Sequence, residues 1–303
     1  MDAQDLSGGP LKGIARSVLP PSINDEAAFG YPRDFLSNRF VYLVISPRAR
    51  GLSVGVNLNP MVRCNFNCLY CEIDRTRPAL VNHLDVQIMV NELAHTLRFA
   101  RAGGLAQIPR YAGLPEELLQ VRHIALSGDG EPTLAENFGE AVETIVHWRA
   151  LGQVPAFKIV LLTNSTGLDR ADVRRGLSYM TQHDEIWVKL DAGTQRYLNR
   201  INGATLSIEK ITQNILDLAR ERPVIIQSLF PSVDGAEPPS EEIEQYARRL
   251  KGLKQNGARI SLVQIYSATR PMARSGCGHL PLKALSRIAR AVRNIAELPA
   301  EVF

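Results

Sequence analysis

Short apolar runs alternate with amphipathic stretches along most of this 303-residue chain. "GLSVGVNLN", "VRHIALSG", "FKIVLLTNS", "EIWVKLDA", "PVIIQSLF" and "RISLVQIYS" are rich in β-branched residues and end on glycine or polar residues, as strands do. Between them lie segments with helical spacing. One is capped by Asp85 and runs to about Arg101, one is "AENFGEAVETIVHWRALG", and one is "DRADVRRGLSYM". A short helix follows near Thr194, another runs from Ser207 to about Arg220, and the last of the set is "SEEIEQYARRLKGLKQN". Strands joined through a helix run parallel, and such a sheet is buried on both faces. There are about six of these strands from Leu52 onward, where eight would close a full barrel. The pattern therefore predicts an α/β fold, an incomplete (β/α)₆ TIM-like barrel, with an open doubly wound sheet as the alternative.

"RFVYLVIS" and the turn "PRAR" add a strand before the first of these, and "RISLVQIYS" reads as the last strand. Residues 1–38, rich in Gly, Pro and Ser, read as an N-terminal extension. Residues 39–270 would hold the barrel, and 271–303 a loop and the helix "PLKALSRIARAVRNIAEL" packed on it. No apolar run reaches the ~18 residues that span a bilayer, and the first residues lack the pattern of a secretory signal. The net charge of +4 permits an anionic partner without demanding one.

In parallel α/β folds the chemistry gathers at the carboxyl ends of the strands. Those ends carry Cys64 to Cys71, Ser127 to Glu131, Thr163 and Asn164, Lys189 and Asp191, Gln227, and Gln264 with Tyr266. As a group they also suit loop starts and helix caps. Lys189 stands out, because lysine in a buried strand is rare unless paired, and Asp191 lies on the same face at period two.

Three of the four cysteines fall within eight residues, in "CNFNCLYC". Bridges among Cys64, Cys68 and Cys71 would close tiny loops and stabilise little, so a reducing, cytoplasmic setting fits better than a disulfide framework. Thiolates suit zinc or iron–sulfur centres. Structural zinc asks for a fourth ligand, which His83 would have to supply. A redox dithiol from Cys68 and Cys71 is a further reading. Three thiolates on one loop also match three corners of a cubic cluster.

"CNFNCLYC" resembles the C-x₃-C-x-Φ-C signature of the radical S-adenosylmethionine (SAM) superfamily, with Tyr70 in the aromatic position. "LSGDGEPTL" resembles that family's Gly-Gly-Glu segment, with Asp129 in place of a glycine. "TNS" and "KLD" resemble its third- and fourth-strand elements. The resemblance runs from about Ser53 to Gln264 and is nearest to the branch with the wyosine-base synthetases, here in a stand-alone form without a flavodoxin domain. It implies that Cys64, Cys68 and Cys71 hold a [4Fe–4S] cluster whose open iron takes SAM. Asp129, Gly130 and Glu131 would then offer acceptors to the SAM ammonium, and Asn164 a donor to its carboxylate. Lys189 and Asp191 would meet the ribose and carboxylate and serve catalysis, and the backbone near Tyr70 the adenine. Gln227 would reach into the cavity.

The implied reaction is oxygen-sensitive reductive cleavage of SAM to a 5′-deoxyadenosyl radical, fed by an external one-electron donor of flavodoxin or ferredoxin type. The substrate would be a small molecule or a tRNA. Cleavage to a 3-amino-3-carboxypropyl radical is a variant, and an electron-transfer or structural Fe–S or zinc protein is the reading from another class. Cys277, between glycines in "RSGCGHL", reads as a solvent-side free thiol. Arg48, Arg50, Arg63, Arg75 and Arg77 read as a solvated rim, with recognition of a phosphate or carboxylate on the substrate as the alternative.

Overall fold

A β-hairpin starts the sheet: β1 (Val41–Ser46) pairs antiparallel with β2 (Gly51–Asn57). From β2 onward every ladder of this sheet is parallel. β3 (Val121–Ser127), β4 (Lys158–Thr163), β5 (Glu185–Lys189) and β6 (Val224–Leu229) follow in chain order. The two-residue β7 (Ser232–Val233) lies outside this sheet, and β8 (Ile260–Tyr266) takes the place beside β6. This computed structural model describes residues 35–76, 79, 81–152, 156–270, 272 and 275–303. Most of the expected N-terminal extension, and Arg77, lie outside the described residues.

The crossovers are helices α1 (Val86–Arg101) with the single turn α2 (Glu116–Leu119), then α3 (Phe138–Ala150) and α4 (Ala171–Ser178). α5 (Gln195–Asn202) and α6 (Ile208–Glu221) share one crossover, and α7 (Ser240–Gln255) makes the next. Local signals explain their starts: Asp85 accepts from Ile88 N–H, Thr194 from Tyr197 N–H and Ser207 from Lys210 N–H. No helix among the described residues is long and apolar enough to cross a membrane.

Six parallel strands carrying helices are the expected partial barrel, but β8 is not the last strand. The chain passes through β9 (Cys277–Gly278), paired with β7, and α8 (Leu282–Ala291). It then adds β10 (Ala300–Val302) parallel to β8. Three residues gave too short a run for a period-two pattern to show. The sheet order β1-β2-β3-β4-β5-β6-β8-β10 is open, with β1 and β10 as its edges.

The two faces of the strands differ. Ile124, Ile159, Leu161, Ile186, Val188, Ile226 and Val263 belong to the main hydrophobic core. On the opposite face Val160, Trp187 and Ile225 form a separate cluster with Leu162 and Leu262, an apolar plug. Beside it His123 sits edge-to-face on Trp187 at 5.5 Å and bonds Ser53 Oγ at 2.9 Å. Burial drives His123 down to a pKa of about 3, so it is neutral. Toward the carboxyl ends the same face turns polar: Lys189, Gln227 and Gln264 stand in one register row.

A buried ion pair fixes the amino end of β4 and β5. Arg149 forks onto Asp184 at 2.7 and 3.0 Å, and the backbone N–H groups of Ile159 and Thr181 donate to the same carboxylate at 2.8 Å. Burial alone would raise Asp184, but Arg149 and the two N–H groups hold it below the usual aspartate range. That stabilisation is present above the unfolded value near ~3.9 and is lost as pH falls through the lower folded value. Asp184→Ala is expected to cost about 3 kcal/mol at pH 7, because it strands Arg149. The gap to wild type in urea melts should close below about pH 4; a gap constant with pH would refute the charge account.

Candidate active site

The cysteine loop leaves the end of β2 through a strained bend. Val62 has φ +60°, a left-handed conformation that is unfavourable for a β-branched residue. Asn59 holds the bend: its Nδ2 donates to Arg63 O at 2.8 Å and Glu131 O at 2.9 Å, while its Oδ1 accepts from Arg63 N–H at 3.2 Å. Beyond it the loop is gripped by main-chain atoms. Asn67 and Leu69 N–H donate to the last carbonyls of α5, Asn202 O at 2.7 Å and Ile201 O at 2.8 Å. On the other side Glu131 N–H donates to Arg63 O at 2.9 Å. Gly203, φ +51°, ends α5 where a Cβ would stand 3.0 Å from Asn67 Cβ.

Gly130 packs directly beneath this loop. A Cβ there would lie 2.3 Å from Arg63 O and 2.9 Å from Arg63 N. Its close approach is thus to the cysteine loop itself. Gly130→Ala is expected to displace Arg63 and Cys64 and to lower iron uptake severalfold, read as iron per chain after anaerobic reconstitution. Wild-type iron content in the variant would overturn this.

The neighbouring residues divide into two hydrogen-bonded groups. Around Cys64, Asn164 Nδ2 points at Cys64 Sγ (3.8 Å) and Asn65 Oδ1 (2.9 Å), while its Oδ1 accepts from Thr166 N and Oγ1. The buried Glu131 carboxylate accepts from Thr133 N and Oγ1, Thr163 Oγ1 and Asn164 N. Three of these donors meet Oε1 and only Asn164 N–H meets Oε2, so the side chain ties the ends of β3 and β4 together while Oε2 keeps an acceptor site. Burial pushes its carboxyl up, against these four donors. Asp129 is held by Asn57, whose Nδ2 donates to it at 2.6 Å and whose Oδ1 accepts its N–H at 3.1 Å.

Around Cys68, Asn202 Nδ2 lies 3.4 Å from Sγ and 2.8 Å from both Tyr70 Oη and Asp191 Oδ2. Tyr70 OH donates to Asp191 Oδ2, and Leu229 N–H donates to Oδ1 at 2.8 Å. Lys189 Nζ is 3.4 Å from Asp191 Oδ1 and donates to Tyr266 Oη at 3.2 Å. Tyr266 donates to Gln227 Oε1 at 3.2 Å, and Gln227 Nε2 to Gln264 at 3.4 Å. Burial would lower Lys189, yet Asp191, Tyr266 and Cys68 raise it above the ordinary lysine value, so it is an ammonium at neutral pH. The carboxylate of Asp191 is engaged on every side, whereas the Lys189 side chain keeps 18% exposure.

Every expected site residue thus lies beside the cysteine loop or along one network from Cys68 to Gln264. Asn57, Asn59 and Asn202 were not foreseen. The one sequence signal for Asn202 was Asn202-Gly203, a helix-ending pair.

The donor set fits an iron–sulfur cluster. All four cysteines are free and half-buried, and two of the clustered sulfurs have an amide N–H directed at them. Arg75 Nε, on a side chain whose guanidinium also reaches Cys64, is buried without a partner among the described residues. Burial and then the Asp191 charge push Cys68 up to about 12, and burial raises Cys64, so iron must displace protons from both. Among the described residues no three His, Cys, Asp or Glu converge as ligands of a single ion do. Thiolates of a cubic cluster need no such convergence, since each takes a different iron.

The family profile described as the Radical SAM superfamily matches residues 58–250. A UPF0026 protein of Synechocystis sp. is 34% identical over 186 residues, 60% of this chain and 60% of the relative. A UPF0026 protein of Helicobacter pylori is 24% identical over 229 residues, 74% of this chain and 66% of the relative. The chain therefore spans under two thirds of the length of these curated relatives. A solved structure of TYW1 with a lysine–pyruvate adduct bound superposes with a TM-score of 0.52 at 17% identity, covering 81% of this chain and 74% of that one, a likeness of fold. The chain belongs to the radical SAM superfamily, whose cofactors are a [4Fe–4S] cluster and S-adenosylmethionine.

Proposed function

We propose that this protein is an enzyme that holds a [4Fe–4S] cluster on Cys64, Cys68 and Cys71 and cleaves SAM reductively at the mouth of its partial barrel. The observation that carries the reading is a backbone-gripped loop of three free thiols beside a polar row buried above an apolar plug. When bound and reduced by an external one-electron donor, the cofactors supply a 5′-deoxyadenosyl radical that takes hydrogen from a substrate.

The chain's own residues orient and enclose. Asn164 stands beside Cys64, its amide directed at that sulfur and at Asn65 Oδ1. Asp129 and the backbone of Gly130 line the same side. Glu131 positions Asn164 by accepting its N–H. Asp191 is a positioning residue that ties Tyr70, Lys189 and the end of β6 together. Lys189 with Gln227 and Gln264 presents donors and acceptors to the cavity, and the plug below them excludes water. An electron-transfer protein would not need this buried polar row. TYW1 is known with a lysine–pyruvate adduct. Lys189, paired with Asp191 and held as an ammonium, suits recognition of an anion better than attack on a carbonyl, which needs a free amine.

Anaerobically reconstituted protein with dithionite and SAM should yield 5′-deoxyadenosine and methionine. Methylthioadenosine instead would move the cleavage to the aminocarboxypropyl bond. No cleavage with a full cluster would sink the reading. Small metabolites and tRNA are separated by deuterium transfer from labelled candidates into 5′-deoxyadenosine.

A further inference from the structure

Arg48 lies in the turn between β1 and β2. Its guanidinium carbon stacks 4.1 Å from the centroid of the Tyr266 ring, at the end of β8. The side chain therefore reaches from one end of the open strand order toward the other. Its turn neighbour Arg50 makes a parallel reach to Glu301 on β10, at 3.5 Å on the surface. The two contacts differ in one respect. Arg50 ends on a carboxylate, whereas among the described residues no carboxylate pairs with Arg48 and no acceptor satisfies its Nε, which is buried. Arg48 is half-buried as a residue, but its buried Nε–H is a donor left unmet, which is costly unless something completes it.

The surroundings do not complete it. The charged groups that Arg48 feels are Arg270 and Glu72, and these pair with each other at 3.4 Å. Lys189 approaches the same Tyr266 ring, 5.5 Å from its centroid, but Asp191 answers its charge. Three cations thus face two carboxylates, both already paired, leaving the charge of Arg48 over. Tyr266 is itself fixed by Lys189 and Gln227, so the ring supporting the guanidinium is held in place. Glu72 directly follows Cys71, which puts this surplus beside the cysteine loop.

We propose that Arg48 is a substrate-binding residue whose guanidinium, stacked on Tyr266, seats an oxyanion, a carboxylate or a phosphate, carried by the substrate. A planar fork on an aromatic face is the arrangement that recognises such groups through two parallel N–H bonds. This rests on the cavity being the substrate site of the SAM-cleaving enzyme proposed above, and it narrows the substrate to an anion.

The test measures binding of inorganic phosphate and, separately, of acetate to the reconstituted protein by calorimetry, in wild type, Arg48→Gln, Arg48→Lys and Arg50→Gln. Wild type should bind one of the two, and which one tells phosphate from carboxylate. Arg48→Gln should weaken it about tenfold or more, the scale of a lost charge-assisted pair. Arg48→Lys should fall between, since it keeps charge and loses the fork. Arg50→Gln should match wild type. Equal affinity in wild type and Arg48→Gln overturns the assignment, as does binding of neither anion. So does a loss confined to SAM affinity, which would make Arg48 a cofactor residue. Wild-type protein that binds the anion through Arg48 but forms no 5′-deoxyadenosine supports the oxyanion site while sinking the reaction.

Discussion

Alanine at Cys64, Cys68 or Cys71 is expected to abolish both the cluster and SAM cleavage, while Cys277→Ala retains both. The reasoning is geometric. The three clustered thiols share one loop held at fixed spacing by α5 on one side and Glu131 on the other. Each would take a separate iron corner, so losing one cannot be compensated by the other two. Cys277 sits instead in the small β7–β9 ladder, opposite Val233. Reconstituted wild type should carry about four irons per chain and each loop variant a small fraction of that, with the visible absorbance of the cluster lost in parallel. Iron loss in the Cys277 variant, or a stable cluster in a loop variant, would contradict the ligand set.

Asp191→Ala is expected to be the most destabilising single change at the site, by roughly 3–5 kcal/mol, the usual cost of stripping one partner from a buried ion pair. It would leave Lys189 uncompensated and remove the acceptor of Tyr70 OH, Asn202 Nδ2 and Leu229 N–H. Asp191→Asn keeps an acceptor oxygen and should cost less. Urea melts of the cluster-free protein give the comparison without confusing stability with iron loading. Lys189→Met in the Asp191→Ala background should recover part of the loss, because it removes the stranded charge. If the double variant is weaker than Asp191→Ala by the full effect of Lys189→Met alone, the two residues are not coupled as the geometry requires.

The barrel was legible because its strands are covered on both faces, which forces continuous apolar runs, and because its helices carry plain caps such as Asp85 and Ser207. β10 was not, since three residues leave no period to read. The thiol loop and the strand-end residues were also legible, from spacing and from polar residues closing apolar strands. Which atoms those residues face was not. Glu131, expected as an acceptor, already takes bonds from Thr133, Thr163 and Asn164. Gly130, expected as a backbone acceptor, also leaves the space that Arg63 fills. Lys189 and Asp191 were paired correctly from their period-two spacing. Asn202, which touches Cys68, Tyr70 and Asp191 together, comes from a helix over a hundred residues downstream of the cysteines, and no local pattern announces such a contact.

The way the cysteine loop is held also bears on how such a loop can evolve. Its fixed contacts at Arg63, Asn67 and Leu69 run through main-chain N–H and C=O groups, which every residue except proline can reproduce. Side-chain identity is fixed where a residue between the thiols makes its own bonds, as Asn65 does with Asn164 and Thr166 and Tyr70 with Asp191 and Asn202. A lineage can retune what borders its cluster by exchanging side chains that make no such bonds while the thiol spacing stays put. A proline at position 67 or 69 is the substitution such drift must avoid.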